Sequence, residues 1–166
     1  MANKQNFTPE EWTKILEGMM LVGMAVSAAD PNGLWGTIKE AFASRTAIAG
    51  SKSRLISNEL VKAVITELDT KEGRAIIQKA LEKRITGATP AEVVQRSLEH
   101  LREVAAILDA KAPGDAADFK AWLGGISQQV AQASMEGGFL GVGGVRVSET
   151  EKATLADIEK ALGTTA

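Results

Sequence analysis

Apolar residues return every three or four positions along most of this chain, which is the period of an amphipathic helix. Turn residues separate seven such stretches, and these predict helices at about residues 9–29, 34–49, 54–68, 71–85, 90–109, 115–135 and 149–162. The sequence therefore predicts an all-α fold. It is a single-domain bundle of about seven helices over residues 1–166, with a disordered tail at residues 1–8 and a glycine-rich loop before the last helix.

Several of these helices have clear start signals. Residues 8–11 and 89–92 both read Thr-Pro-x-Glu, and residues 148–151 read Ser-x-x-Glu. Each pattern predicts a capping box, in which a hydroxyl and a carboxylate satisfy the free backbone N–H groups of the first turn. Residues 57–59, Ser-Asn-Glu, offer a second start within the third predicted helix.

The most apolar run, at residues 18–29, lies in the first predicted helix. It is shorter than the roughly 20 residues that span a bilayer, and Glu17 and Asp30 flank it. We interpret it as a helix buried on all sides. We expect it to form the buried centre with the helices at 90–109 and 115–135, and we expect the glycine-rich loop and the last helix to pack back across that centre.

Composition excludes several classes of protein. The chain has no cysteine, so disulfides and thiolate metal sites are excluded. Its net charge is -2, and it has no block of basic residues interleaved with aromatic residues. The composition therefore does not indicate nucleic-acid binding. The residues at the N-terminus do not resemble a secretory signal. We expect a cytoplasmic protein with no membrane segment and no cofactor.

The glycine-rich stretch at residues 137–144 is the main candidate for a functional site. Five glycines alternate there with three apolar residues, directly before a helix. It can be a structural loop packed on the bundle, a surface for self-association or a protein partner, or an anion site that uses backbone N–H groups and Arg146. No Walker pattern is present. The candidate contact residues are Phe139, Leu140, Gly141, Gly143, Gly144, Arg146 and Ser148.

A second candidate site lies after the first helix. Asp30, Asn32 and Glu40 supply oxygen ligands of the kind that Mg²⁺ and Ca²⁺ prefer. The EF-hand pattern is absent, and helix capping by itself explains Asp30 and Asn32.

Two other polar residues bear on catalysis. His100, the sole histidine, is not part of a Glu-x-x-His motif, which excludes a ferritin-like di-iron site. The chain also has no Gly-x-Ser-x-Gly elbow, so nothing indicates a Ser-His-Asp triad. We expect His100 on the exposed face of its helix. Glu17 lies either at the solvent edge near Lys14 or inside the bundle, where it would need a partner. Nothing here favours an enzyme.

Three C-terminal motifs resemble a family of small, uncharacterised bacterial all-helical proteins. They are Phe-Lys-x-Trp-Leu at 119–123, Glu-Gly-Gly-Phe-Leu-Gly-x-Gly-Gly at 136–144 and Val-Ser-Glu-x-Glu at 147–151. Residues 9–12 and 28–33 are similar to that family too, and the resemblance implies no activity. A looser similarity links the Ala-Ala-Asp turn at 28–30 to tellurite-resistance B-type helical domains, which are suspected metal-linked stress proteins. The expected polar positions of that turn are not reproduced here, because Pro31 and Leu34 occupy them.

The function that these patterns favour is non-catalytic. We predict a helical protein that self-associates or binds a protein partner through the glycine-rich loop. A small-ligand or anion binder and a metal-linked stress protein are the alternatives.

Overall fold

The computed structural model describes residues 1–29, 58–136 and 147–164. These ranges contain α-helices and no strand, which confirms the predicted all-α class. The helix predicted at residues 34–49 lies outside them. The six described α-helices are α1 (Pro9–Ala29), α2 (Glu59–Leu68), α3 (Lys71–Ile85), α4 (Pro90–Lys111), α5 (Pro113–Glu136) and α6 (Glu149–Leu162).

Helix α1 is the central element of the bundle. Every residue from 15 to 29 is buried, and α1 packs most extensively against α4 and then α5. Gly18 allows close approach to α4, because a Cβ at this position would lie 3.2 Å from Cγ2 of Val104. The prediction that the run at 18–29 is a buried central helix is confirmed.

The local start signals form as predicted. In the boxes at 8–11, 89–92 and 148–151, the first residue's hydroxyl accepts the glutamate's N–H, and the carboxylate accepts the first residue's N–H. Helix α2 begins at the second of its two candidate starts, with the Asn58 side chain accepting from the N–H groups of Leu60 and Val61. Helix α5 begins two residues earlier than predicted, because Pro113 takes its first position directly after Ala112.

The N-terminal residues differ from the predicted disordered tail. Ala2 and Phe7 are buried, and the N–H of Ala2 donates to Oδ2 of Asp115 at 2.7 Å. Phe7 precedes the cap of α1 and packs on Trp12, with 6.0 Å between ring centroids. This pair is a hydrophobic staple, and that spacing is the sequence signal that indicates an ordered entry to the helix.

Helix α6 packs back on the bundle as predicted, against α1, α4 and α5. Ile158 and Leu162 are fully buried. Gly163 ends the helix in the left-handed conformation, with φ of 71°, which glycine adopts without strain. The two ends of the segment 137–148 are therefore the ends of helices that pack in the same bundle.

We expect Ser97→Ala to stabilise the protein by about 1 kcal/mol, because a buried hydroxyl without a partner loses its hydrogen bonds to water and gains none in the protein. Ser97 is 1% exposed, and its Oγ makes no hydrogen bond. Urea unfolding measures the change. Ser127→Ala is the matched control, because Ser127 is also 1% exposed but donates to the Gly124 carbonyl at 2.7 Å. A gain in Ser127→Ala equal to that in Ser97→Ala would assign the effect to helix propensity alone.

Candidate functional site

Three polar side chains from three helices meet beside the middle of α1. They are Glu17 of α1, Arg84 of α3 and His100 of α4, and we call them the Glu17 cluster. The Arg84 guanidinium donates to Oε2 of Glu17 through Nη2 at 2.8 Å and through Nε at 3.2 Å. The same Nη2 lies 2.9 Å from Nδ1 of His100. One guanidinium therefore joins all three helices.

The cluster is largely removed from solvent. The exposed fractions of the side chains are 2% for His100, 11% for Glu17 and 30% for Arg84. Taking a charge out of water is costly unless it is paired and hydrogen-bonded. The short contacts of Arg84 meet this requirement for Glu17, and the exposed part of Arg84 keeps some hydration.

The neighbours of His100 define its tautomer. Nε2 lies 2.8 Å from the backbone carbonyl of Lys14, and a carbonyl only accepts, so Nε2 carries the hydrogen. Nδ1 faces a guanidinium N–H, which only donates, so Nδ1 is the acceptor. Both ring nitrogens are satisfied only when the imidazole is neutral.

The electrostatic surroundings also favour the neutral ring. Burial is the largest effect and lowers the pKa of His100 below its ordinary value of 6.5. The hydrogen bond to the Lys14 carbonyl opposes this decrease, and the positive charge of Arg84 adds to it. The carboxylates of Glu17 and Glu103 raise the pKa by smaller amounts. The balance leaves His100 uncharged at neutral pH.

An outer layer of ion pairs lies on the solvent side of the cluster. Nζ of Lys14 is 3.1 Å from Glu103 and 3.5 Å from Glu10. The hydrogen bond between Lys14 and Glu103 raises the pKa of the lysine and lowers the pKa of the glutamate. Glu103 is more than half exposed, so this pair contributes little to stability.

Helical spacing and one short connection bring these residues together. Lys14 and Glu17 lie one turn apart on α1 and therefore share a face. Arg84 is in the last turn of α3, only a few residues before α4 begins at Pro90. Arg96 of α4 fixes this junction, because its Nη1 donates to the backbone carbonyl of Arg84 at 3.2 Å.

The arrangement is suited to holding helices rather than to turning over a substrate. The acceptor nitrogen of His100 is already bonded to Arg84, and the carboxylate of Glu17 is already neutralised. Among the side chains that the structure describes, no group of three or more His, Asp or Glu residues could hold a metal ion. A proton on Nδ1 of His100 would break the contact with Arg84, because the nitrogen could no longer accept a hydrogen bond.

The expected exposure of His100 was wrong. One apolar row of α4 recurs at spacings of four, three, four and three, as Val94, Leu98, Leu101, Ala105 and Leu108. Position 100 lies outside this row, but the buried face of α4 is wider. A second row on this helix, Val93, Ser97, His100 and Val104, is also buried. Its spacing of four, three and four is visible in the sequence and is the signal that could have placed His100 inside. The structure places Glu17 inside the bundle, with Arg84 as its partner.

Of the predicted contact residues, the described ranges contain Ser148 alone. Its hydroxyl accepts the N–H of Glu151, and its own N–H donates to the Glu151 carboxylate. Phe139, Leu140, Gly141, Gly143, Gly144 and Arg146 lie outside the described residues, as do the metal candidates Asp30, Asn32 and Glu40.

Comparison with protein-family models, curated proteins and solved structures finds no match for this chain. Among the described helices, none combines the length and apolar character that crossing a membrane requires. The resemblance to a bacterial helical family stays a prediction.

Proposed function

We propose that this protein is a non-catalytic helical module that self-associates or binds a protein partner through the glycine-rich loop. The observation that carries the proposal is the polar character of the described surface. Among the side chains that the structure describes, which leave out residues 81 and 133–136, Met1 is the one large hydrophobic side chain that is exposed. The loop sequence, by contrast, offers three apolar side chains together, Phe139, Leu140 and Val142.

The attachment of the loop supports this proposal. Helix α5 ends at Glu136, and α6 begins at Glu149 with Ser148 as its cap. Because α6 is held by the buried Ile158 and Leu162, the loop is joined at both ends to elements of one bundle. Anchored ends reduce the entropy that a loop loses when it binds a partner.

The start of α6 is poorly suited to the alternative role of anion binding. The capping box already occupies free N–H groups of its first turn. Glu149 and Glu151 place negative charge there, where the helix dipole would otherwise favour an anion. An anion site in this region would therefore have to be built from the loop amides and Arg146, without help from the helix terminus.

We expect the purified protein to show a concentration-dependent mass in analytical ultracentrifugation, and the double substitution Phe139→Ser and Leu140→Ser to abolish it. Removing two apolar side chains weakens an interface without removing a helix. Circular dichroism checks that the helices persist. Ala153→Ser, on the exposed face of α6, is the control and should associate like the wild type.

A melting series distinguishes the alternatives. A ligand at 100 times its dissociation constant stabilises by about 2.7 kcal/mol. If phosphate or a nucleotide raises the melting temperature and Arg146→Ala removes that shift, the loop is an anion site and the proposal fails. A mass that stays monomeric at all concentrations, with no cross-link from a photoreactive residue at Phe139 to any protein, would also contradict it.

A further inference from the structure

Among the side chains of α3 that the structure describes, Ile77 is buried, Ile85 packs partly buried on a second apolar cluster, and Arg84 makes polar contacts with both neighbouring helices. Ile77 is a buried apolar side chain of this helix, while Lys71, Glu72 and Lys79 are exposed. The Arg84 side chain bonds both Glu17 of α1 and the ring of His100 on α4. Elements with few buried apolar contacts open locally at low free-energy cost, so the state of Arg84 matters for the whole helix.

The contact between Arg84 and His100 depends on the protonation state of the ring. The distance of 2.9 Å joins a guanidinium donor to Nδ1, which accepts only while the imidazole is neutral. A proton on Nδ1 would place a donor against a donor and a second positive charge beside the guanidinium. The hydrogen bond would be replaced by repulsion.

The charged groups around the ring do not provide another way to accommodate the proton. From α1, Glu17 lies 3.7 Å from Nε2 and attracts an imidazolium, but it already accepts two hydrogen bonds from Arg84. The Lys14 ammonium is paired with Glu103 of α4. The ring is 2% exposed, so water cannot solvate the charge. Protonation is compatible with this geometry only when Arg84 moves away.

We propose that His100 is an acid-sensitive latch, whose neutral ring keeps Arg84 in place and whose protonation releases α3 from α1 and α4. This role is independent of the glycine-rich loop.

The direction of the pH dependence follows from linkage. The pKa of His100 is lowered in the closed state, mainly by burial, so the open state binds the proton more readily. The stability of the closed state is fully present above about pH 6.5, the ordinary pKa, and is lost as pH falls toward the lowered value. The pKa values of the Glu11, Glu92 and Glu103 carboxyl groups are lowered below 4.5. These groups therefore take up protons only in more acidic solution.

Hydrogen exchange and NMR together test the latch between pH 7.5 and 5.0. Because the chain has one histidine, its ring resonances report the titration of His100 without ambiguity. The intrinsic rate at each pH is divided by the observed exchange rate to give protection factors. We expect protection in α3 to fall between pH 6.5 and 5.5, by about fivefold at most, while protection in α1 stays unchanged, and we expect the ring to titrate below pH 6.5.

Two variants complete the test. His100→Gln carries no titratable ring, and its α3 protection should not vary with pH in this range. Arg84→Gln removes the neighbouring cation, and its His100 pKa should rise above that of the wild type. If His100→Gln does not fold, the wild-type titration and the pKa of His100 in Arg84→Gln test the proposal without it. The proposal is overturned if α3 protection stays constant while the ring titrates, if α1 and α3 lose protection together, or if the ring titrates at or above pH 6.5.

Discussion

Arg84→Ala is expected to destabilise the protein by about 3 kcal/mol at pH 7.5. The substitution leaves the carboxylate of Glu17, 11% exposed, without its cation, and it leaves Nδ1 of His100 without a donor. Breaking a buried ion pair by removing one partner typically costs about 3–5 kcal/mol. The lower end applies here because 30% of the Arg84 side chain is exposed, and water can partly replace it.

Urea unfolding followed by circular dichroism measures this loss, and a double-mutant cycle assigns it to the pair. Glu17→Gln alone leaves Arg84 in contact with solvent and should cost less than Arg84→Ala. With both substitutions no charge is left unpaired, so the double variant should be more stable than the sum of the single effects predicts, by about 1 kcal/mol or more.

Arg74→Ala is the matched control for Arg84→Ala. Arg74 is on the same helix, is exposed, and donates to the carbonyl of Asp69 in the turn before α3. Its replacement should change stability by about 0.5 kcal/mol or less, as for most surface substitutions. Equal effects of the two arginine substitutions would mean that the Glu17 cluster contributes nothing specific to stability.

The helices were predictable because their signals are local. The boundaries of α1 and α6 agree with the prediction at both ends, since a cap, a proline at the first position or a terminal glycine acts within one turn of the chain. The burial of residues 18–29 followed from their composition. The ordered N-terminal segment was missed even though its staple, Phe7 and Trp12, is also local.

The Glu17 cluster was not predictable in the same way. Glu17 and Arg84 are 67 positions apart, and Lys14 and His100 are 86 apart. No periodicity within one helix reports which helix will lie beside another. The spacing of Val93, Ser97, His100 and Val104 predicts at most that His100 faces inward. Only the packing of α3 against α1 and α4 shows that its partner is an arginine.

Gly73→Ala is expected to destabilise the protein by about 2 kcal/mol, although alanine is ordinarily the better residue inside a helix. Gly73 lies in the first turn of α3, directly over the end of α2. A Cβ at this position would come within 3.0 Å of both the carbonyl carbon and the carbonyl oxygen of Glu67. These atoms belong to the backbone and cannot rotate away as a side chain does. Forcing extra atoms into a filled space costs about 1–3 kcal/mol.

The turn that would have to move is itself tightly bonded. The Glu67 carbonyl accepts from the Thr70 hydroxyl at 2.6 Å and from the Thr70 N–H at 3.0 Å. The same hydroxyl caps α3 by accepting from the N–H of Gly73 at 2.9 Å. Displacing Glu67 therefore weakens the end of α2 and the cap of α3 together, which exceeds the gain of about 0.5–1 kcal/mol that alanine brings to a helix interior.

Gly124→Ala separates steric clash from helix propensity. Gly124 lies inside α5, and a Cβ there would meet no atom within 4 Å. This substitution should therefore stabilise the protein by about 0.5–1 kcal/mol, opposite in sign to Gly73→Ala in the same urea unfolding experiment. A stabilising Gly73→Ala would show that the junction between α2 and α3 shifts freely. In that case the apolar contacts of Ile77 and the hydrogen bonds of Arg84 would hold α3 in place, and its connection to α2 would not.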